Sequence, residues 1–150
     1  MFKKILLATD FSEAAETAKW LTETLVEGGE GTDLTVLTVL DPLQELPEEG
    51  VFLPSDRAEA HERKKLRVER EEALVDYCHG LKGRGIAAAQ EVREGNPASG
   101  IIDFARQWGA DVIVIGAVGR SSTREKTLGK TAHEILKRST VPVLVAAHRA

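Results

Sequence analysis

Cysteine is nearly absent. Cys78 is the single one in 150 residues, so no disulfide can form within the chain. A disulfide-stapled scaffold is excluded, and a reducing, cytoplasmic setting is the simplest expectation. Long apolar runs are also missing. The opening MFKKILLATD is broken by Asp10, too early for the core of a signal peptide. The run Val112–Gly119 falls far short of the roughly 20 residues that cross a bilayer, so no membrane partner is expected. Nor is there an excess of positive charge. The net charge is −4 and no basic stripe covers the chain, which argues against nucleic acid as a partner. His61, His79, His133 and His148 are scattered without metal-ligand spacing.

What is present is an ordinary globular balance, 42% apolar and 29% charged, at a length suited to one domain spanning residues 1–150. Apolar blocks alternate with helical patterns. Lys4–Thr9 is a short apolar run of the kind buried on both faces of a sheet. Ser12 can cap a following helix that carries Ala14, Ala18, Leu21 and Leu25 on one face. Asp33–Leu40 is a second strand, rich in β-branched residues. Asp41–Asp56, with Pro42, Pro47 and Pro54, reads as a long loop or lid.

A highly charged helix is expected from about Arg57 to Lys82, with a narrow apolar stripe of Leu66, Ala73, Tyr77 and Leu81. The pairs Glu59/Arg63 and Arg67/Glu71 support its outer side. Ile86–Val92 is a weaker third strand. Asn96 and Pro97 form a helix start, and Gly109 a stop. Asp111–Gly116 is the most strand-like run. A helix from Gly129 to Arg138 and a last strand, Val141–Ala147, complete a βαβαβαβαβ pattern. That alternation implies right-handed crossovers and a doubly wound parallel sheet with helices on both faces. Such sheets bind ligands beyond the carboxyl ends of the strands, where strand order reverses. With the first and fourth strands adjacent, that crevice would be lined by Thr9, Asp10 and Gly116–Gly119.

The stretch GAVGRSSTREKTLGKT, from Gly116 to Thr131, imitates a phosphate motif without matching one. A P-loop needs a glycine five residues before Gly129, and Arg124 stands there. The G-x-G-x-x-G dinucleotide fingerprint is absent as well. Gly116, Gly119 and Gly129 remain, the last at the start of a helix. Glycines let a backbone approach a ligand closely, and a helix N-terminus offers free N–H groups to an anion. Arg120, Arg124, Lys126 and Lys130 face one acid, Glu125, so the loop is locally cationic in an acidic chain. The alternative stays open that the glycines serve tight turns and the charges keep an exposed loop solvated.

The start KKILLATDFSEAAETA, the run DVIVIGAVG, the spacing Gly116-x2-Gly119-x9-Gly129 and the end STVPVLVAAH together resemble the universal stress protein family, in order along the whole chain. The resemblance implies a five-stranded parallel sheet of order 3-2-1-4-5 and a homodimer joined along the last strand, Val141–Ala147. In one branch of the family it implies a bound adenine nucleotide: ATP, or AMP or ADP. Carried over position by position, Thr9 and Asp10 would face the adenine and ribose, and Val39 would meet the adenine through its backbone. Gly116, Gly119 and Gly129 would wrap the ribose and phosphates. Arg120, Lys130 and Thr131 join the candidate site from the basic loop and helix start. The pattern has a small hydroxyl residue where this chain has Lys130, and Thr131 beside it carries a hydroxyl.

Three functions compete. One is a nucleotide-binding stress-response or signalling module, with Mg²⁺ accompanying a triphosphate and an unknown protein partner reading occupancy. Another is a dimeric interaction module of the same family without nucleotide. The last is an adenylyl-transferring enzyme, which would need a serine-glycine-glycine loop or paired histidines that do not follow Thr9. No arranged catalytic base or metal cage is visible, so at most slow ATP hydrolysis is expected.

Overall fold

The apolar residues of each strand alternate between two directions, and that alternation sets the layers. The computed structural model describes residues 2–26, 31–45, 56–118 and 128–147. Its elements are β1 (Lys4–Ala8), α1 (Glu13–Val26), β2 (Asp33–Leu40), α2 (Pro42–Glu45), α3 (Asp56–Gly83), β3 (Ala88–Glu94), α4 (Pro97–Trp108), β4 (Val112–Gly116), α5 (Lys130–Arg138) and β5 (Val143–Ala146). The five strands form one parallel sheet of order β3-β2-β1-β4-β5.

Ile5 and Leu7 of β1, Leu34 and Val36 of β2, and Val112 and Val114 of β4 face one side. There they pack with Ala18 of α1 and with Leu74, Tyr77, Cys78 and Leu81 of α3. Leu6 and Ala8, Leu37, and Ile113 and Ile115 face the other side. They meet Ala98, Ile101 and Ala105 of α4 and Ala132 and Ile135 of α5. The central strands are thus buried on both faces, as their near-continuous apolar sequences require. α1 covers β4 and β5, α3 covers β2 and β3, and α4 lies beside α5.

Helix ends follow their sequence signals. Ser12 Oγ accepts a hydrogen bond from Ala15 N at 3.2 Å. Asn96 Oδ1 accepts one from Ser99 N at 3.0 Å, Pro97 opens α4, and Gly109 closes it in the left-handed region at φ 79°. Cys78 is buried in the core. Arg67 pairs with Glu71 one turn on at 3.3 Å; the Glu59 side chain lies outside the described residues.

Several boundaries depart from expectation. β3 is Ala88–Glu94 rather than Ile86–Val92. Ile86 instead belongs to the turn that ends α3, where its N–H donates to Leu81 O at 3.0 Å and Gly85 takes φ 78°. The expected long loop begins with a short helix, α2: Pro42 sits at its start and Asp41 Oδ1 accepts from Leu43 N at 3.0 Å. The remainder of that segment, 46–55, lies outside the described residues. The last strand is shorter than expected, because Pro142 leaves the ladder to its carbonyl, which accepts from Ile113 N at 2.9 Å.

Candidate functional site

The strand order places β1 between β2 and β4. The connection after β1 leads to α1 on one face, and that after β4 leads to α5 on the other. The carboxyl edge between β1 and β4 is therefore the point where the winding reverses, where doubly wound sheets open a crevice. The register pairs Leu7 with Val114 and Ala8 with Leu37. Two residues beyond the first pair, Thr9 comes level with Gly116, and Val39 is near the end of the neighbouring strand.

The β1–α1 connection is held by its own short polar side chains. Thr9 is buried, and its Oγ1 accepts from Phe11 N at 3.0 Å. Asp10 Oδ1 accepts from Ser12 N at 3.0 Å. These are side-chain turns of the kind that Thr and Asp form readily. Phe11 between them has φ 63°, the one positive-φ residue other than glycine among those described. Ser12 Oγ also donates to Val118 O at 3.4 Å, which ties this turn to the segment after β4.

The candidate glycines have different reasons to be glycine. A Cβ at Gly116 would fall 2.8 Å from Ala14 backbone, so close contact with α1 already excludes a side chain. Gly129 has φ −63°, open to any residue; it is the N-cap of α5 and makes no side-chain cap bond. Its N–H donates to Ala117 O at 2.7 Å, closing the base of the connection between β4 and α5, and His133 N returns to Gly129 O at 2.9 Å. Lys130 and Thr131 occupy the exposed first turn of α5. Val39 stands opposite Arg93 in the ladder, and its side chain lies on the α4 side, 3.1 Å from a Cβ placed at Gly100. Gly119 and Arg120 lie outside the described residues.

The structure thus brings Thr9, Asp10, Gly116, Gly129, Lys130 and Thr131 to one edge. It also adds residues that the sequence reading did not place there: Phe11, Ser12 and Tyr77. Tyr77 Oη donates to Ala15 O at 2.7 Å in the first turn of α1. Burial pushes the phenol well above its ordinary pKa, and a hydrogen bond with the Thr9 hydroxyl works against that shift. Among the described residues no group of three His, Cys, Asp or Glu side chains is arranged to hold a metal ion. No helix among them is long and apolar enough to cross a membrane.

The family model for universal stress proteins matches residues 1–147. The chain belongs to the universal stress protein family. Universal stress protein MJ0531 of Methanocaldococcus jannaschii is 31% identical over 97% of this chain and 82% of its own length. Universal stress protein MJ0577 of the same organism is 26% identical over 99% of this chain and 97% of its own. The solved structure of MJ0577 superposes with a TM-score of 0.85 at 27% identity, covering 99% of this chain and 98% of that one. A universal stress protein solved in complex with cAMP matches at TM-score 0.67, covering 99% of this chain and 98% of that one. An Arabidopsis thaliana family member with AMP bound matches at 0.65, covering 99% and 93%. At 17% identity each, these two show the shared fold.

Proposed function

We propose that residues 1–150 act as one adenine-nucleotide-binding domain of a universal stress protein, taking ATP, ADP or AMP at the carboxyl edge between β1 and β4. The observation that carries this reading is the contrast between helix starts. α1 and α4 have their first amides capped by Ser12 and Asn96. α5 begins at a glycine without a side-chain cap. Its first amides, at Lys130, Thr131 and Ala132, precede the first i→i−4 donor, His133, and suit a phosphate group through hydrogen bonding and the helix dipole.

In this reading the amides and side chains of Lys130 and Thr131 hold phosphate, joined by Arg120 and the backbone at Gly119. Gly116 and Gly129 keep the crevice wall thin. Thr9, Asp10 and the Val39 backbone take the adenosine. Mg²⁺ would enter with a triphosphate, bound mainly through its phosphates. In this reading occupancy rather than turnover is the signal. A homodimer through Val141–Ala147 and a protein partner would read it. The AMP and cAMP found in relatives of the same fold support the ligand class.

One observation favours a second reading, a dimeric interaction module without nucleotide: the contact of Gly116 with Ala14 accounts for that glycine with no ligand at all. Calorimetric titration of the purified protein with ATP and AMP separates the two. Saturable heat supports the nucleotide reading, and no heat at millimolar nucleotide supports the interaction module.

A further inference from the structure

We infer that Tyr77 of α3 is a positioning residue for the nucleotide site, holding the left-handed turn at Phe11 that sets Thr9 and Asp10. The inference rests on the nucleotide reading above and extends it to a residue remote in sequence. A bulky side chain at positive φ is costly and persists only where its surroundings over-determine it. At Phe11, φ 63°, those surroundings come from α3. The Phe11 ring stands edge-on to Tyr77, with centroids 5.8 Å apart and planes at 86°. The Arg70 guanidinium lies 5.9 Å from the Phe11 centroid. Edge-to-face rings and a cation over a ring face are both attractive arrangements.

Tyr77 also holds what comes before and after the turn. Its hydroxyl donates to Ala15 O at 2.7 Å, in the helix that the turn leads into. Its hydroxyl also faces that of Thr9, the residue after β1, an interaction that opposes the burial-driven rise of its pKa. Lys19 of α1 places its ammonium 4.6 Å from the Tyr77 centroid, holding the ring from the far side of the turn. One side chain therefore contacts the strand end, the strained residue and the helix start. Within the turn, Phe11 N and Ser12 N are spent on Thr9 Oγ1 and Asp10 Oδ1, each at 3.0 Å. Fixing the Phe11 backbone consequently fixes the rotamers of the two side chains assigned to the adenosine.

The test is Tyr77→Phe, which keeps the ring contacts with Phe11 and Lys19 and removes only the hydroxyl. AMP affinity is read by calorimetry, amide hydrogen exchange by NMR, and stability by urea unfolding. The expected result is a Kd for AMP raised roughly tenfold, about the worth of one hydrogen bond. Exchange at Phe11 and Ser12 should quicken while the α5 amides are unchanged. Cys78→Ala, buried beside Tyr77 on the same helix, is the control: it lowers stability and leaves the Kd where it was. Unchanged affinity and exchange in Tyr77→Phe, or a Kd that rises equally in Cys78→Ala, overturns the inference. If the wild-type protein binds no nucleotide, the nucleotide reading falls and exchange alone decides. Faster exchange at Phe11 and Ser12 then sustains the positioning role of Tyr77, and unchanged exchange removes it.

Discussion

Gly116 and Ala14 approach so closely that a Cβ added at Gly116 would lie 2.8 Å from both the carbonyl carbon and the Cβ of Ala14, and 2.9 Å from its oxygen. The atoms in the way include helix backbone, which cannot rotate aside. The end of β4 and the first turn of α1 can pack at this distance only with glycine at 116. Gly116→Ala should therefore destabilise the fold by about 1–3 kcal/mol, the usual range for overpacking. Urea unfolding without nucleotide checks this; an unchanged midpoint would mean that α1 can shift freely on the sheet.

Burial should make the protein lose stability in alkali. It pushes the Cys78 thiol from 9.0 up to about 11, against a smaller opposing effect of Lys19, and it raises the Tyr77 phenol as well. Both groups stay protonated in the folded chain at pH values where the unfolded chain ionises. Their contribution is full below the unfolded values and is lost as pH rises through the folded ones. Thermal unfolding should show a falling midpoint between about pH 9 and 11. Alkylation of Cys78 in the native protein at pH 8 should be far slower than in the urea-unfolded chain, since the thiolate is the nucleophile.

At the opposite edge of the sheet, Asp111 Oδ2 accepts from Lys3 N and Lys4 N, each at 2.8 Å. These two backbone bonds hold its carboxyl below the usual 3.8. The sign is opposite to that of Cys78: the contribution is present above the unfolded pKa and disappears as pH falls through the depressed folded value. An NMR titration of the Asp111 carboxyl carbon should give a midpoint below 3.8. In Asp111→Ala the amides of Lys3 and Lys4 should exchange faster.

Much of this fold is legible in the residues, for physical reasons that differ by element. β2 begins and ends where its β-branched run does, at Asp33 and Leu40. α4 is bounded by Asn96 and Gly109, whose side-chain acceptor and left-handed backbone act locally. β3 is an edge strand in which Ala89, Gln90, Arg93 and Glu94 are exposed, so burial leaves no clear trace of its ends in the sequence. α2 had a signal in Asp41-Pro42, a capping residue before a proline at the first helical position, hidden among further prolines.

The site divides in the same way. The adjacency of β1 and β4, which the alternation of strands and helices leaves open and the family resemblance implies, is present. The left-handed turn at Phe11 is not legible, because positive φ is signalled by glycine or asparagine and here arises from tertiary contacts. Tyr77 reads in sequence as one more member of an apolar stripe. Only the fold brings its hydroxyl to Ala15 and Thr9.

The central claim is that the uncapped start of α5 receives a phosphate, and Gly129→Asp tests it most directly. The extended backbone at this position, φ −63° and ψ 157°, suits an aspartate N-cap. Its carboxylate would occupy the amides of the first turn and repel a phosphate there. The account predicts a thermal midpoint equal to or above that of the wild type, with calorimetric affinity for ATP falling by at least about tenfold, the scale of one charged hydrogen bond. ATP bound equally well by both proteins would contradict it.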